Sequence, residues 1–81
     1  MTGTAWKDTV APFLGADYEL DKLWEEHEQL ERQLAEIDGI RWLTPDQETQ
    51  RRELQRRKLF GKDRMLARVQ SLSKGAAGVN N

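Results

Sequence analysis

The stretch LDKLWEEHEQLERQLAEI, residues 20–37, limits what this chain can become more than any other feature. Leu20, Leu23, His27, Leu30, Leu34 and Ile37 follow one another at intervals of 3, 4, 3, 4 and 3. That is an unbroken a/d heptad seam, the pattern of a helix that packs along another helix. One seam position is filled by His27, the only histidine in the chain.

The ends of this helix are also written in the sequence. Asp17 is placed to act as N-cap, because its carboxylate can accept from free backbone N–H groups, and Glu19 and Asp21 suit the positive end of the helix dipole. Gly39 is a natural residue for the left-handed position that ends many helices. The predicted first helix therefore covers residues 17–38. The loop 39–44 holds Ile40, Trp42 and Leu43, which suggests an apolar plug over one end of the packed helices. Thr44, Pro45 and Gln47 then supply an N-cap, a proline at the first helical position and the third member of a capping box.

The second predicted helix covers residues 45–73. On a wheel advancing about 100° per residue, Met65, Val69 and Leu72 fall within about 60° of Leu54, with Leu59 and Leu66 at about 120–140°. This apolar stripe is broad and is interrupted by Lys58 and Lys62, and Gly61 sits in mid-helix at a cost of about 1 kcal/mol relative to alanine. A short loop makes the two helices antiparallel neighbours. Residues whose numbers sum to about 88 then face each other. Leu34 meets Leu54, Leu30 meets Lys58 and Leu59, His27 meets Lys62, Leu23 meets Met65 and Leu66, and Leu20 meets Val69. The expected fold is all-α: an antiparallel two-helix hairpin over residues 17–74, with an N-terminal arm or short helix in residues 1–16 and a disordered tail in residues 75–81. In the arm, Trp6, Val10, Phe13 and Leu14 are the apolar residues and Pro12 marks its end.

With 81 residues and no cysteine, the chain has neither disulfides nor thiolate metal sites to reinforce a small core, so packing and self-association must hold it. A homo-oligomeric bundle, with a dimer favoured, follows from a two-helix seam open on both sides. No apolar run approaches the roughly 18 residues of a membrane span, and the N-terminus lacks a secretory pattern, so a cytoplasmic protein without a membrane partner is expected.

Charge is divided unevenly. Residues 1–43 carry four Lys or Arg against ten Asp or Glu, and residues 44–81 carry nine against four. The acidic first helix can therefore lie beside the basic second one, with Glu31 pairing Lys58 and Glu26 or Glu28 pairing Lys62. Arg51, Arg52, Arg56 and Arg57 form a basic run that could neutralise phosphates. Against a nucleic-acid role, no aromatic interleaves the run in sequence to stack bases.

No residue pattern specifies a reaction. His27 and Glu31 stand at i and i+4, a spacing open to a shared metal, but two ligands are too few and no second histidine or cysteine joins them. His27 is therefore read as a packed polar layer in the seam, its nitrogens hydrogen-bonded, which fixes register. Trp24 and Trp42 are read as covering seam edges or a subunit interface. No phosphate-binding glycine loop, nucleophile set or carboxylate dyad occurs. The expectation is a non-enzymatic interaction or regulatory module without a cofactor, acting on a protein partner, with a nucleic-acid-associated regulator as the alternative.

The two helices together resemble the small bacterial YdcH-like family of unknown function, in which the first helix follows L-x-x-L-x-x-E-H-x-x-L-x-x-x-I and the second E-L-x-x-x-K-L-x-x-K-D. Leu20, Leu23, Glu26, His27, Leu30 and Leu34 match the first, with Leu34 in place of isoleucine, and Glu53, Leu54, Lys58, Leu59, Lys62 and Asp63 match the second. The likeness covers residues 17–69, and Gly61 and the apolar loop with Trp42 depart from the pattern. It implies a helical hairpin grouped with coiled-coil proteins, in which the Glu26–His27 turn meets the Lys58–Asp63 turn. It implies no activity.

Overall fold

A computed structural model describes residues 5–77. Helix α1 (Ala5–Val10) leads through a 3-10 turn (Ala11–Phe13) into α2 (Tyr18–Asp38), and a short loop joins α2 to α3 (Pro45–Ala77). There is no strand among the described residues. The two long helices pack together, and the molecule measures 54 × 22 × 19 Å.

Local chemistry sets each helix start. Asp17 is extended (φ −142°, ψ 121°) and its Oδ2 accepts from the Leu20 N–H at 2.9 Å, closing the first turn of α2. The chain reaches that position through Gly15, whose φ of +87° lies in the left-handed region and whose N–H donates to Asp21 Oδ1 at 2.8 Å; a side chain there would be strained. At the start of α3 the capping box forms in both directions. The Gln47 N–H donates to Thr44 Oγ1 at 3.1 Å, and the Thr44 N–H donates to Gln47 Oε1 at 2.9 Å.

Cross-helix contacts fix the register. Asp38 pairs Arg51 at 2.7 Å, Glu31 lies 4.0 Å from Lys58, and Asp17 meets Arg68 at 2.8 Å. Partner numbers on α3 rise as those on α2 fall, close to the sum expected from the sequence. The Arg68 fork donates from Nε and Nη2 to the two carboxylate oxygens of Asp17, so one carboxylate both caps α2 and ties it to the far end of α3. Those hydrogen bonds, joined by the Leu20 N–H, hold the Asp17 carboxyl down at about 2. A lowered folded-state value stabilises the fold above the unfolded carboxyl range near 3.8, and the contribution fades as pH falls toward about 2.

The core is in two parts. Near the N-terminus of α2, Val10, Leu20, Met65 and Val69 are buried and draw in Trp6, Phe13, Leu14, Leu23 and Trp24. Near the loop, Leu34, Ile37 and Leu54 form a second cluster with Leu30 and Leu43. Each fully buried side chain of this size contributes about 1.5–3 kcal/mol, so α1 matters: it brings Val10 into the first cluster at 0% exposure.

Several expectations change. The α3 helix continues to Ala77, past the expected end at residue 73, so residues 75–77 of the expected disordered tail are helical, while 78–81 lie outside the described residues, as do 1–4 of the expected arm. Gly39 ends α2 in right-handed geometry (φ −79°, ψ −9°); its N–H reaches the Ala35 and Glu36 carbonyls and the Ile40 N–H reaches Ile37, so the last carbonyls are satisfied without a left-handed residue. The loop plug is made by Leu43 alone, because Trp42 is 82% exposed and Ile40 is also exposed. Trp42 thus covers no seam edge. Leu59 leaves the expected pairing with Leu30 and is 58% exposed, since it lies about 140° around α3 from Leu54 and no element covers that side.

Gly61 lies within α3, and a Cβ placed on it meets nothing within 4 Å. Gly61→Ala should therefore raise the free energy of unfolding by about 0.5–1 kcal/mol, read as a higher urea midpoint with an unchanged slope; a lower midpoint would show that the helix needs glycine there.

Candidate functional site

His27 and Glu31 occupy one face of α2 a turn apart, where all three helices converge. His27 is 3% exposed. Its ring is met by Trp6 of α1 in an edge-to-face contact, with centroids 4.9 Å apart and planes at 75°. Such pairs contribute about 0.5–1.5 kcal/mol beyond burial itself. Trp6 also packs on Trp24 of α2 at 6.3 Å, and Lys7 Nζ stands 5.9 Å from both indole rings. Trp24 thus does cover a seam edge, with α1 as its other wall.

Glu31 collects the cations. Lys7 Nζ donates to both of its carboxylate oxygens at 3.1 Å, and Lys58 Nζ approaches to 4.0 Å from α3. The Glu31–Lys58 pair expected from the sequence is present but is the longer of the two. His27 Nδ1 stands 3.9 Å from Glu31 Oε2, beyond hydrogen-bonding distance, so Glu31 does not supply the hydrogen bond expected at that nitrogen. With two lysines on it, the Glu31 carboxylate is committed to charge pairing, which argues against sharing a metal with His27.

Burial holds the His27 imidazolium pKa below its ordinary 6.5; Lys7 from α1 and Lys58 from α3 push the same way, against Glu31 and Glu28 on α2 itself. The sequence register placed Lys62 in that role. Lys62 Nζ instead lies 5.9 Å over the Trp6 ring, and neither Glu26 nor Glu28 pairs with it among the described residues. Glu26 is exposed and lines a groove with Arg64, and Asp63 is exposed on the other flank of α3 beside Thr9. Lys58 reaches Glu31, one turn beyond His27, and Lys62 reaches Trp6, which packs on His27.

The basic run divides in two. Arg51 is held by Asp38, and Arg56 and Arg57 share Glu53 at 3.8 and 3.7 Å. Arg52 is exposed and makes no ion pair among the described residues, and the same is true of Arg41. Both line an open groove at the loop end of the molecule together with Arg51, Gln55, Glu48 and the exposed Trp42. The loop thus brings an exposed aromatic onto the same groove as Arg51 and Arg52 of the basic run.

Two residues central to this arrangement were not singled out as site residues in the sequence, Trp6 and Lys7. Their only signal was an aromatic and a cation in a weakly patterned arm. Among the described residues no three His, Asp or Glu side chains gather as a metal cluster, and no helix is long and apolar enough to cross a membrane. No protein-family model matches the chain, and neither a curated protein nor a solved structure shows significant similarity to it.

Two outcomes follow. Because the folded state binds the His27 proton more weakly than the unfolded state, its contribution to stability is present above about pH 6.5 and is lost as pH falls below it. The melting temperature should drop between about pH 7.5 and 5.5, and His27→Gln should flatten that dependence; parallel profiles for the two proteins would remove His27 as the cause. In double-mutant cycles, Lys7–Glu31 should show a larger coupling than Lys58–Glu31, both within the ~0.2–1 kcal/mol of partly exposed pairs.

Proposed function

We propose that the protein is a non-enzymatic interaction module: an antiparallel, coiled-coil-like helical hairpin of the YdcH-like kind, braced by α1, that assembles as a homodimeric four-helix bundle. The observation that carries this reading is the outer face of α3, where the large apolar side chains Leu59 and Phe60 are 58% and 62% exposed. Contiguous exposed apolar side chains on a small domain mark an interaction surface.

The same face is self-complementary. Arg56 and Asp63 lie about 20° apart on the α3 wheel, midway between Leu59 and Phe60. A two-fold antiparallel crossing centred between Leu59 and Phe60 sets opposite one another residues whose numbers sum to about 119. Leu59 then meets Phe60 of the second copy, and Arg56 meets Asp63, each contact occurring twice. The two Arg56–Asp63 pairs offset the repulsion between two basic helices. A partner protein of similar amphipathic character would use the same face.

Light scattering across concentration tests the reading. The expected mass is twice the 9.4 kDa of the chain. Phe60→Glu and Arg56→Asp should each give monomer without loss of helicity, and Arg56→Asp combined with Asp63→Arg should restore the dimer. A wild-type chain that stays at 9.4 kDa at high concentration would overturn the homodimer.

A further inference from the structure

From the loop-end groove we infer that the protein carries a binding site for single-stranded nucleic acid, in which a base stacks on Trp42 and the flanking phosphates are held by Arg41 and Arg52. This site is separate from the α3 face assigned to self-association.

Three observations converge there. Trp42 is 82% exposed, the most exposed large apolar side chain described. Its indole contributes nothing to either core cluster, and Leu43 beside it fills the packing role of the loop. Arg41 and Arg52 carry charges that no carboxylate within 4.0 Å neutralises among the described residues, unlike Arg51, Arg64 and Arg68. All three side chains open onto one groove, together with the Gln55 amide. An exposed aromatic side chain and unpaired guanidinium groups on one groove are the combination that holds a stacked base and its phosphates.

The wall also contains two carboxylates, Asp38 and Glu48. Asp38 is spent on Arg51 at 2.7 Å, which leaves Glu48 as the one opposing charge and net positive potential at the groove. Arg41 on the loop and Arg52 on α3 are two separate cations on the groove wall, and two phosphate sites favour a strand over a single nucleotide. The exposed indole favours nucleic acid over an acidic helix, because a base stacks flat on it.

Tryptophan fluorescence gives the test, with an oligothymidylate of about ten nucleotides as probe. At about 50 mM salt the oligonucleotide should quench emission with a dissociation constant on the order of 10–100 µM, weakening steeply by about 200 mM. Trp42→Phe should remove the quenching while Trp6 and Trp24 still emit. Trp42→Ala, Arg41→Ala and Arg52→Ala should each weaken binding, followed by anisotropy of a labelled oligonucleotide, by about fivefold or more, and Glu48→Gln should strengthen it. All four side chains are exposed, so helicity and melting temperature serve as the folding control. Absence of quenching at low salt, indifference to Arg41 and Arg52, equal affinity for thymidine monophosphate, or equal competition by poly-glutamate would each overturn the site as a strand-binding one.

Discussion

The structure depends on the packing of Trp6 against a buried histidine. His27 occupies a seam position between two small apolar clusters, where a leucine would have made a continuous core. The two long helices by themselves leave one flank of the seam open at that position. Helix α1 closes that flank. It brings Trp6 onto the ring, Lys7 onto Glu31 and Val10 into the first cluster. A six-residue helix could not persist alone, and its stability comes from these contacts.

Placing α1 on one side of the seam decides what is left on the other. Helix α3 is gripped by α2 along one edge and by α1 over its middle, so its outer face remains in water with Leu59 and Phe60 on it. The long α3 is therefore both the second wall of the core and the main exposed surface. Its charges follow the same division. Lys58, Arg64 and Arg68 turn toward carboxylates of α2, Lys62 toward the Trp6 ring, and Arg52 and Arg56 toward solvent. The acidic–basic split of the chain thus becomes a pairing across the long helices at the seam and a residue of positive charge at the loop end.

Much of this was legible in the residues. The heptad spacing gave α2 and its inward face, the Thr44–Gln47 box gave the start of α3 to the residue, and the Asp17 cap formed as expected. Simple register placed Leu34 near Leu54 and Glu31 near Lys58. Two of the misses have one origin. Wheel geometry assigns a residue to a face, but whether that face is covered depends on a third element. Leu59 was paired in the seam because nothing in the sequence said α1 would sit elsewhere, and Lys62 was given to His27 because nothing said Trp6 would come between them. Arg68 on Asp17 was hidden by a separation of 51 residues along the chain.

The sequence by itself determined the helices, their limits near Asp17 and Thr44, and the register in which acid meets base, because those rest on local spacing and on backbone groups satisfied within a few residues. Only the tertiary structure decided where α1 docks, which cations surround His27, which face of α3 stays bare, and that Trp42 stands among arginines. Those outcomes depend on contacts between segments distant in the chain, where burial of one surface excludes burial of another.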